Sequence, residues 1–273
     1  MRIAALQMVS GPVLDANLTT ARRLLEDAAR AGAELAVLPE YFCLLGHRDT
    51  DKLAHQEAWG GGGPMQSFLA QSARELGLWI AGGTLPVATG DPAHAHNTLP
   101  VFAPDGRCAA RYDKVHLFRF DDGQTAFDEA RTLVAGSGPV AFDLPSRDGH
   151  VWRVGLSVCY DLRFPELYRR YAADGCDLLL APSAFTQVTG EAHWSLLLRT
   201  RAVENLAYVA AAAQGGLHEN GRRTWGHSMV VDPWGAVLAV RPEEGAGVVL
   251  ADADAAHLAA LRHRLPALDH RRL

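Results

Sequence analysis

The chain has 273 residues, 48% hydrophobic and 21% charged, and its 26 basic against 31 acidic side chains leave a formal charge of −5. That balance offers nothing to recruit nucleic acid or an anionic membrane. The opening residues turn polar too early for a signal peptide and no apolar run approaches a membrane span, so a cytoplasmic protein is expected, as one α/β domain over residues 1–273. Cys43, Cys108, Cys159 and Cys176 form no C-x-x-C pair, so neither a disulfide framework nor a zinc centre is expected.

Strand and helix signals then alternate. Residues 2–8 read as a strand, followed by a helix capped by Asp15 with Leu14 as the hydrophobic residue before the cap. Leu18, Ala21, Leu25 and Ala28 share that helix's inner face, and Gly32 lies past its end. Residues 34–38 form a short apolar strand stopped by Pro39-Glu40, where Glu40 is either an exposed loop charge or a paired site group. Residues 41–63 show no period and read as a loop; the glycines at 60–63 form a joint, since no Gly-Lys-Ser/Thr follows to make a phosphate loop.

Met65, Phe68, Leu69, Ser72 and Leu76 give the next helix its buried stripe, Gly77 ends it, and residues 78–84 read as a strand. His94 and His96 have a metal-ligand spacing without a third ligand. Pro104-Asp105-Gly106 turns a hairpin between residues 97–103 and 107–112. Lys114 closes its second strand, a place where a lysine is ordinarily solvated. Residues 118–138 read as a long functional loop, and 140–144 and 151–158 as strands.

Cys159 stands between that last strand and a helix opening at Pro165, a turn that lifts a side chain from a rigid support. Alone, the residue reads as a small buried apolar group, as most free cysteines do, unless partners elsewhere in the chain overturn it. The helix over residues 165–173 turns Leu167, Tyr168 and Tyr171 inward, and 177–181 is a strand. In the loop that follows, Phe185 and Thr186 are candidates for substrate contact, with Phe185 equally fit for the core. A helix over 190–203 carries Trp194, Leu197, Leu198 and Arg201 on one face. Residues 206–213, 225–231, 236–240 and 248–251 are strands, and Asp252 or Asp254 caps a last helix carrying Leu258, Leu261 and Leu265, ended by Pro266. The basic tail, 269–273, either docks on a partner subunit or stays in solvent.

Three blocks, Leu38-Pro39-Glu40, Tyr112-Asp113-Lys114-Val115-His116-Leu117 and Val158-Cys159-Tyr160-Asp161-Leu162-Arg163-Phe164-Pro165-Glu166, in that order, resemble the signatures of the nitrilase superfamily of carbon–nitrogen hydrolases. Glu129-Ala130-Arg131-Thr132-Leu133 and the run from Gly226 to Gly235 resemble two further family blocks. The resemblance implies a four-layer α-β-β-α sandwich and a homodimer or larger assembly; no cofactor or metal is expected. It also implies Cys159 as nucleophile, Glu40 as general base and acid, Lys114 as the cation over the reacting centre, and Glu129 as a carboxylate that positions Lys114 or substrate. Those residue types suit amide hydrolysis: Lys114 and the Tyr160 N–H can face the oxyanion while Glu40 shuttles a proton.

The wider blocks are most similar to amidases that repair deaminated glutathione, then to ω-amidases acting on α-ketoglutaramate, and less to true nitrilases. Both amidase substrates are small molecules bearing a carboxylate, for which Arg163 is the candidate partner, its alternative being a salt bridge to Glu166. Phe164 and His116 are further candidate contacts. His116, His193 and His227 are also possible bases of a cysteine–histidine protease, but no protease signature surrounds Cys159. A silent scaffold retaining the fold is the rival from another class.

Overall fold

The computed structural model describes residues 1–121, 123 and 126–272. Asp122, Gln124 and Thr125 of the expected 118–138 loop, and Leu273 of the tail, lie outside the described residues.

The first half of the chain runs β1 (Arg2–Gln7), α1 (Leu14–Arg30), β2 (Leu35–Val37), α2 (Pro64–Leu76), β3 (Trp79–Ala81), β4 (Leu85–Ala88), β5 (Ala95–Phe102) and β6 (Cys108–Asp113). A small hairpin, β7 (Arg119–Asp121) with β8 (Ala126–Asp128), precedes β9 (Ala141–Pro145), β10 (Val151–Leu156), α3 (Pro165–Ala173), β11 (Leu178–Leu180), α4 (Gln187–Asn205) and β12 (Tyr208–Ala211). The chain then forms β13 (Gly215–Leu217), β14 (Arg223–Trp225), β15 (Met229–Val231), β16 (Val237–Val240), β17 (Gly247–Asp252) and α5 (Ala255–Arg264).

Two sheets carry the fold. One has seven strands in the order β17-β1-β2-β3-β5-β4, with β6 also paired to β5, and the other six in the order β16-β15-β12-β11-β10-β9. Their central strands are parallel, and β2, β3 and β11 are wholly apolar, as strands covered on both faces must be. Alternation assigns each side chain to a layer. Ile3, Ala5, Leu35 and Val37 of the first sheet meet Trp152, Val154, Leu178 and Tyr208 of the second in one inner cluster. Ala4, Leu6 and Ala36 face outward onto Ala21, Leu25, Met65 and Leu69 of α1 and α2, while Leu179 and Val209 face Tyr168, Tyr171, Trp194 and Leu198 of α3 and α4. These contacts make the expected four-layer α-β-β-α sandwich.

Local details depart from expectation. Helix α1 starts at Leu14 with Val13 at its cap position and no side-chain cap, so Asp15 lies inside the first turn, where its charge favours the helix dipole, and Leu14 is helical. Asn17 holds the lead-in instead, accepting from the Gly11 N–H at 2.9 Å and donating to the Gly11 carbonyl at 2.8 Å. Helix α4 begins three residues early because Thr186 caps it, accepting from the Thr189 N–H. Asp254, not Asp252, caps α5; Asp252 pairs with Arg2 at 2.9 Å. The expected strand over 225–231 divides into β14 and β15 because His227 takes a φ of 55° between them.

Candidate active site

Glu40 follows β2 out of the centre of the seven-stranded sheet. Leu38 still donates to the Ala81 carbonyl at 2.9 Å, and the Pro39 carbonyl lies so close to Gly83 that a Cβ there would meet it at 2.1 Å. Gly83 also has a φ of +55°, so that approach requires glycine. Tyr41 leaves with a φ of 57°, its N–H held by Thr84 Oγ1 at 2.9 Å. The Glu40 side chain ends only 1% exposed.

Lys114 leaves β6, three strands away across β3 and β5. Its N–H donates to the Asn97 carbonyl at 3.0 Å and its carbonyl accepts from the Gly136 N–H at 2.9 Å. The ammonium is fully buried and donates to Glu40 Oε1 at 2.9 Å and to Glu129 Oε1 and Oε2 at 3.0 and 2.8 Å. Three acceptors match the three hydrogens of an ammonium. Glu129 further accepts from the Tyr41 hydroxyl at 2.9 Å and the Phe118 N–H at 2.7 Å, whereas Glu40 further accepts from Asn97 Nδ2 at 2.9 Å.

Cys159 comes from the other sheet. After β10 the chain enters a short 3-10 turn, Cys159–Arg163, and Cys159 takes a φ of 51°, a left-handed conformation that costs a non-glycine residue roughly 1–3 kcal/mol. The strain is held in place: the Cys159 N–H donates to the Pro182 carbonyl at 3.0 Å, and Asp161 Oδ2 accepts from the Val158 N–H at 2.8 Å. Cys159 and Glu40 line the same cavity, and each group bears on the other's protonation.

Environment separates the two carboxyls. Burial and the charge of Glu129 raise the Glu40 pKa more than Lys114 lowers it. Burial acts on Glu129 in the same sense, but the Lys114 charge and the donors around it outweigh it and hold Glu129 below the usual carboxylate range. Burial and the Glu40 charge push the Cys159 thiol well up, against the pull of Lys114. Burial disfavours the Lys114 ammonium, yet Glu129 and Glu40 together raise it well above an ordinary lysine. Such an arrangement holds one fixed anion, one fixed cation and one carboxyl able to exchange a proton with a thiol.

The thiol opens into a cavity of about 440 Å3, lined also by Glu40, Tyr41, Glu129, Tyr160, Arg163, Phe185 and Thr186. Lys114 lies beneath this wall, without exposure. Arg163 does not pair with Glu166. Both its terminal nitrogens lie 3.3 Å from His193 Nδ1, and its guanidinium spans the rings of Tyr160 and Phe185 at 5.9 and 5.6 Å. Phe185 belongs both to the wall and to the core, meeting Trp194 edge-on at 5.0 Å. His116 and Phe164 do not line the cavity: they stack at 3.7 Å, and His116 Nδ1 lies 2.7 Å from Asp161 Oδ1. His193 and His227 are likewise outside the lining, the latter stacked on Trp225, so the cysteine–histidine alternative has no geometry here among the described residues. Sequence reasoning missed Tyr41, Asn97, Lys52, Arg222 and the linking role of Asp161.

The model of the carbon–nitrogen hydrolase family matches residues 2–263. The chain is 41% identical over 271 residues to the deaminated glutathione amidase of Synechocystis sp. (strain PCC 6803 / GT-S), covering 98% of this chain and 97% of that protein. It is 38% identical to the human omega-amidase NIT2, covering 99% and 95%. It overlays the crystal structure of the C. elegans NitFhit protein with a TM-score of 0.90 at 38% identity, covering 99% of this chain but only 65% of that one. The sandwich and these matches define a carbon–nitrogen hydrolase. The chain belongs to that family, the nitrilase superfamily whose blocks its sequence resembles.

Proposed function

We propose that the chain is a thiol-dependent amidase working through a Cys159 thioester, with deaminated glutathione as its substrate. The observation that carries the mechanism is the buried Glu129–Lys114–Glu40 cluster closed against Cys159 at the base of the cavity. Glu40 takes the thiol proton as sulfur attacks the amide carbon, then delivers it to the departing nitrogen. Water enters, loses a proton to Glu40 and attacks the thioester; that proton returns to sulfur and the acid leaves.

The three engaged hydrogens of Lys114 add a coupling to this scheme. When Glu40 accepts the thiol proton it loses its charge and its hold on Nζ, which releases an N–H as the oxyanion forms. Glu129 keeps the ammonium in place throughout. The Tyr160 N–H is the second donor in this reading.

The acyl part carries a carboxylate held by Arg163, whose guanidinium faces the cavity without a carboxylate partner among the described residues. The amidase relatives support deaminated glutathione, with α-ketoglutaramate as the second candidate. The chain pairs with itself through exposed apolar side chains around the α4–β16 junction, Val203 of α4 beside the Trp234-Gly235 turn and Val237 of β16. Intact-mass detection of an acyl adduct on Cys159 during turnover of deaminated glutathione tests the chemistry; turnover without an adduct in rapid-quench samples of wild type and deacylation-slowed variants counts against it.

A further inference from the structure

Arg163 stands at the thiol side of the cavity, four residues beyond Cys159. The part of the wall next to Tyr41 is also cationic. Lys52, from the 3-10 turn Asp51–His55, extends over the Tyr41 ring at 5.5 Å from its centroid, and Arg222 lies over the Phe127 ring at 4.6 Å. Both line the cavity.

Their partners leave charge unspent. Among the described residues the Lys52 ammonium donates only to Thr132 Oγ1, at 3.2 Å, and makes no ion pair. Arg222 reaches Asp49 at a loose 3.5 Å, with 57% of that carboxylate side chain exposed. The two other arginines of this wall are committed outward, Arg48 to Asp51 at 3.3 Å and Arg223 to Glu244 at 3.1 Å. Burial, assisted by the charges of Lys114 and Arg222, holds the Lys52 ammonium below the usual lysine range against the pull of Glu129 and Asp49. An anion arriving there would relieve that penalty.

The chemistry decides which part of a substrate meets this wall. Sulfur keeps the acyl group, so the acyl side lies toward Cys159 and Arg163. The departing nitrogen must face Glu40, and the next residue, Tyr41, is the floor on which Lys52 rests. We infer that Lys52 and Arg222 form a subsite for an anionic leaving group, so that the preferred substrates are amides with a carboxylate on the amine side as well as on the acyl side. This deepens the amidase reading above and rests on it. Ammonia as leaving group would leave the subsite empty, whereas a peptide-like amine ending in a carboxylate would fill it.

Three substrates with one shared acyl group test this: α-ketoglutaramate, deaminated glutathione, and deaminated glutathione whose terminal carboxylate is converted to the carboxamide. Wild type should favour the carboxylate form over its carboxamide by at least about tenfold in kcat/KM, mainly through KM, as loss of a charge-assisted contact implies. In Arg222→Gln and Lys52→Gln that ratio should fall to within about twofold, and Arg222→Lys should restore part of it. Thermal unfolding of each variant separates misfolding from lost recognition, and the ratio is internal to each protein. Hydrolysis of α-ketoglutaramate by wild type with no preference between the other two overturns the subsite and spares the amidase reading. Retention of the full preference in both glutamine variants also overturns the subsite. No turnover of any of the three overturns the amidase reading and the subsite together.

Discussion

The Tyr112 hydroxyl donates to Asp161 Oδ2 at 2.7 Å, joining the strand that delivers Lys114 to the turn that displays Cys159. The same carboxylate accepts from the Val158 and His116 N–H groups at 2.8 and 2.9 Å and is fully buried. Asp161→Ala would orphan all three donors, so a loss of roughly 3 kcal/mol is expected in urea unfolding. Tyr112→Phe removes one donor and should cost about 1 kcal/mol, with a fall in kcat that exceeds any change in KM. An unaltered kcat in Tyr112→Phe would show that the link does not position the site.

Cys159→Ala should abolish turnover with the fold retained. Because φ at this residue is 51°, Cys159→Gly should be more stable than Cys159→Ala by about 1 kcal/mol, although glycine usually destabilises. Equal or inverted stabilities would mean that the turn relaxes without the thiol.

Lys114→Met leaves two buried carboxyls facing one another, so stability at neutral pH should fall by roughly 3–5 kcal/mol and kcat by at least about a hundredfold. The pH dependence carries a sign. Without the ammonium, burial and mutual repulsion raise both folded-state pKa values, the native state binds more protons than the unfolded one, and stability drops as pH rises. The variant should therefore gain stability on acidification from pH 7 towards the ordinary carboxylate range; a monotonic loss refutes the pairing.

For the wild type, Glu40 must be ionised to accept the thiol proton, and its pKa is raised. The acid limb of kcat/KM should then lie above the ordinary glutamate value of about 4.3. The thiol is raised too, so activity should persist through the usual cysteine range near about 8.5. An acid limb at or below about pH 4 would assign the proton shuttle elsewhere.

Much of this layout is written into local patterns. The apolar run ending at Val158 and Pro165 at the first turn of α3 bracket Cys159 by backbone preference alone, and three short blocks point to Glu40, Lys114 and Cys159. Other residues earn their positions only from tertiary placement. Asn97 is an ordinary strand residue until β5 lies beside Glu40, and Lys52 and Arg222 come from segments without hydrophobic period, brought together across 170 residues of sequence. Thr186 follows β11 towards the site, but its cap bond, which also sets the start of α4, depends on where the chain turns rather than on any hydrophobic period. The stacking of His116 on Phe164 depends on Asp161 holding one loop against another, which neither segment encodes by itself.

Glu40 and Lys114 hang from the seven-stranded sheet, and Cys159 from the six-stranded one. The reacting groups therefore sit on opposite plates of a vice whose spacing is set largely by the inner apolar cluster. A misplacement of about 1 Å can cost on the order of a hundredfold in rate. Enlarging or shrinking one side chain in that spacer, Val154 or Leu178 for example, would slide one plate past the other and detune turnover while leaving every site residue unaltered. Catalytic rate in this protein is thus a gauge of how the two sheets are shimmed.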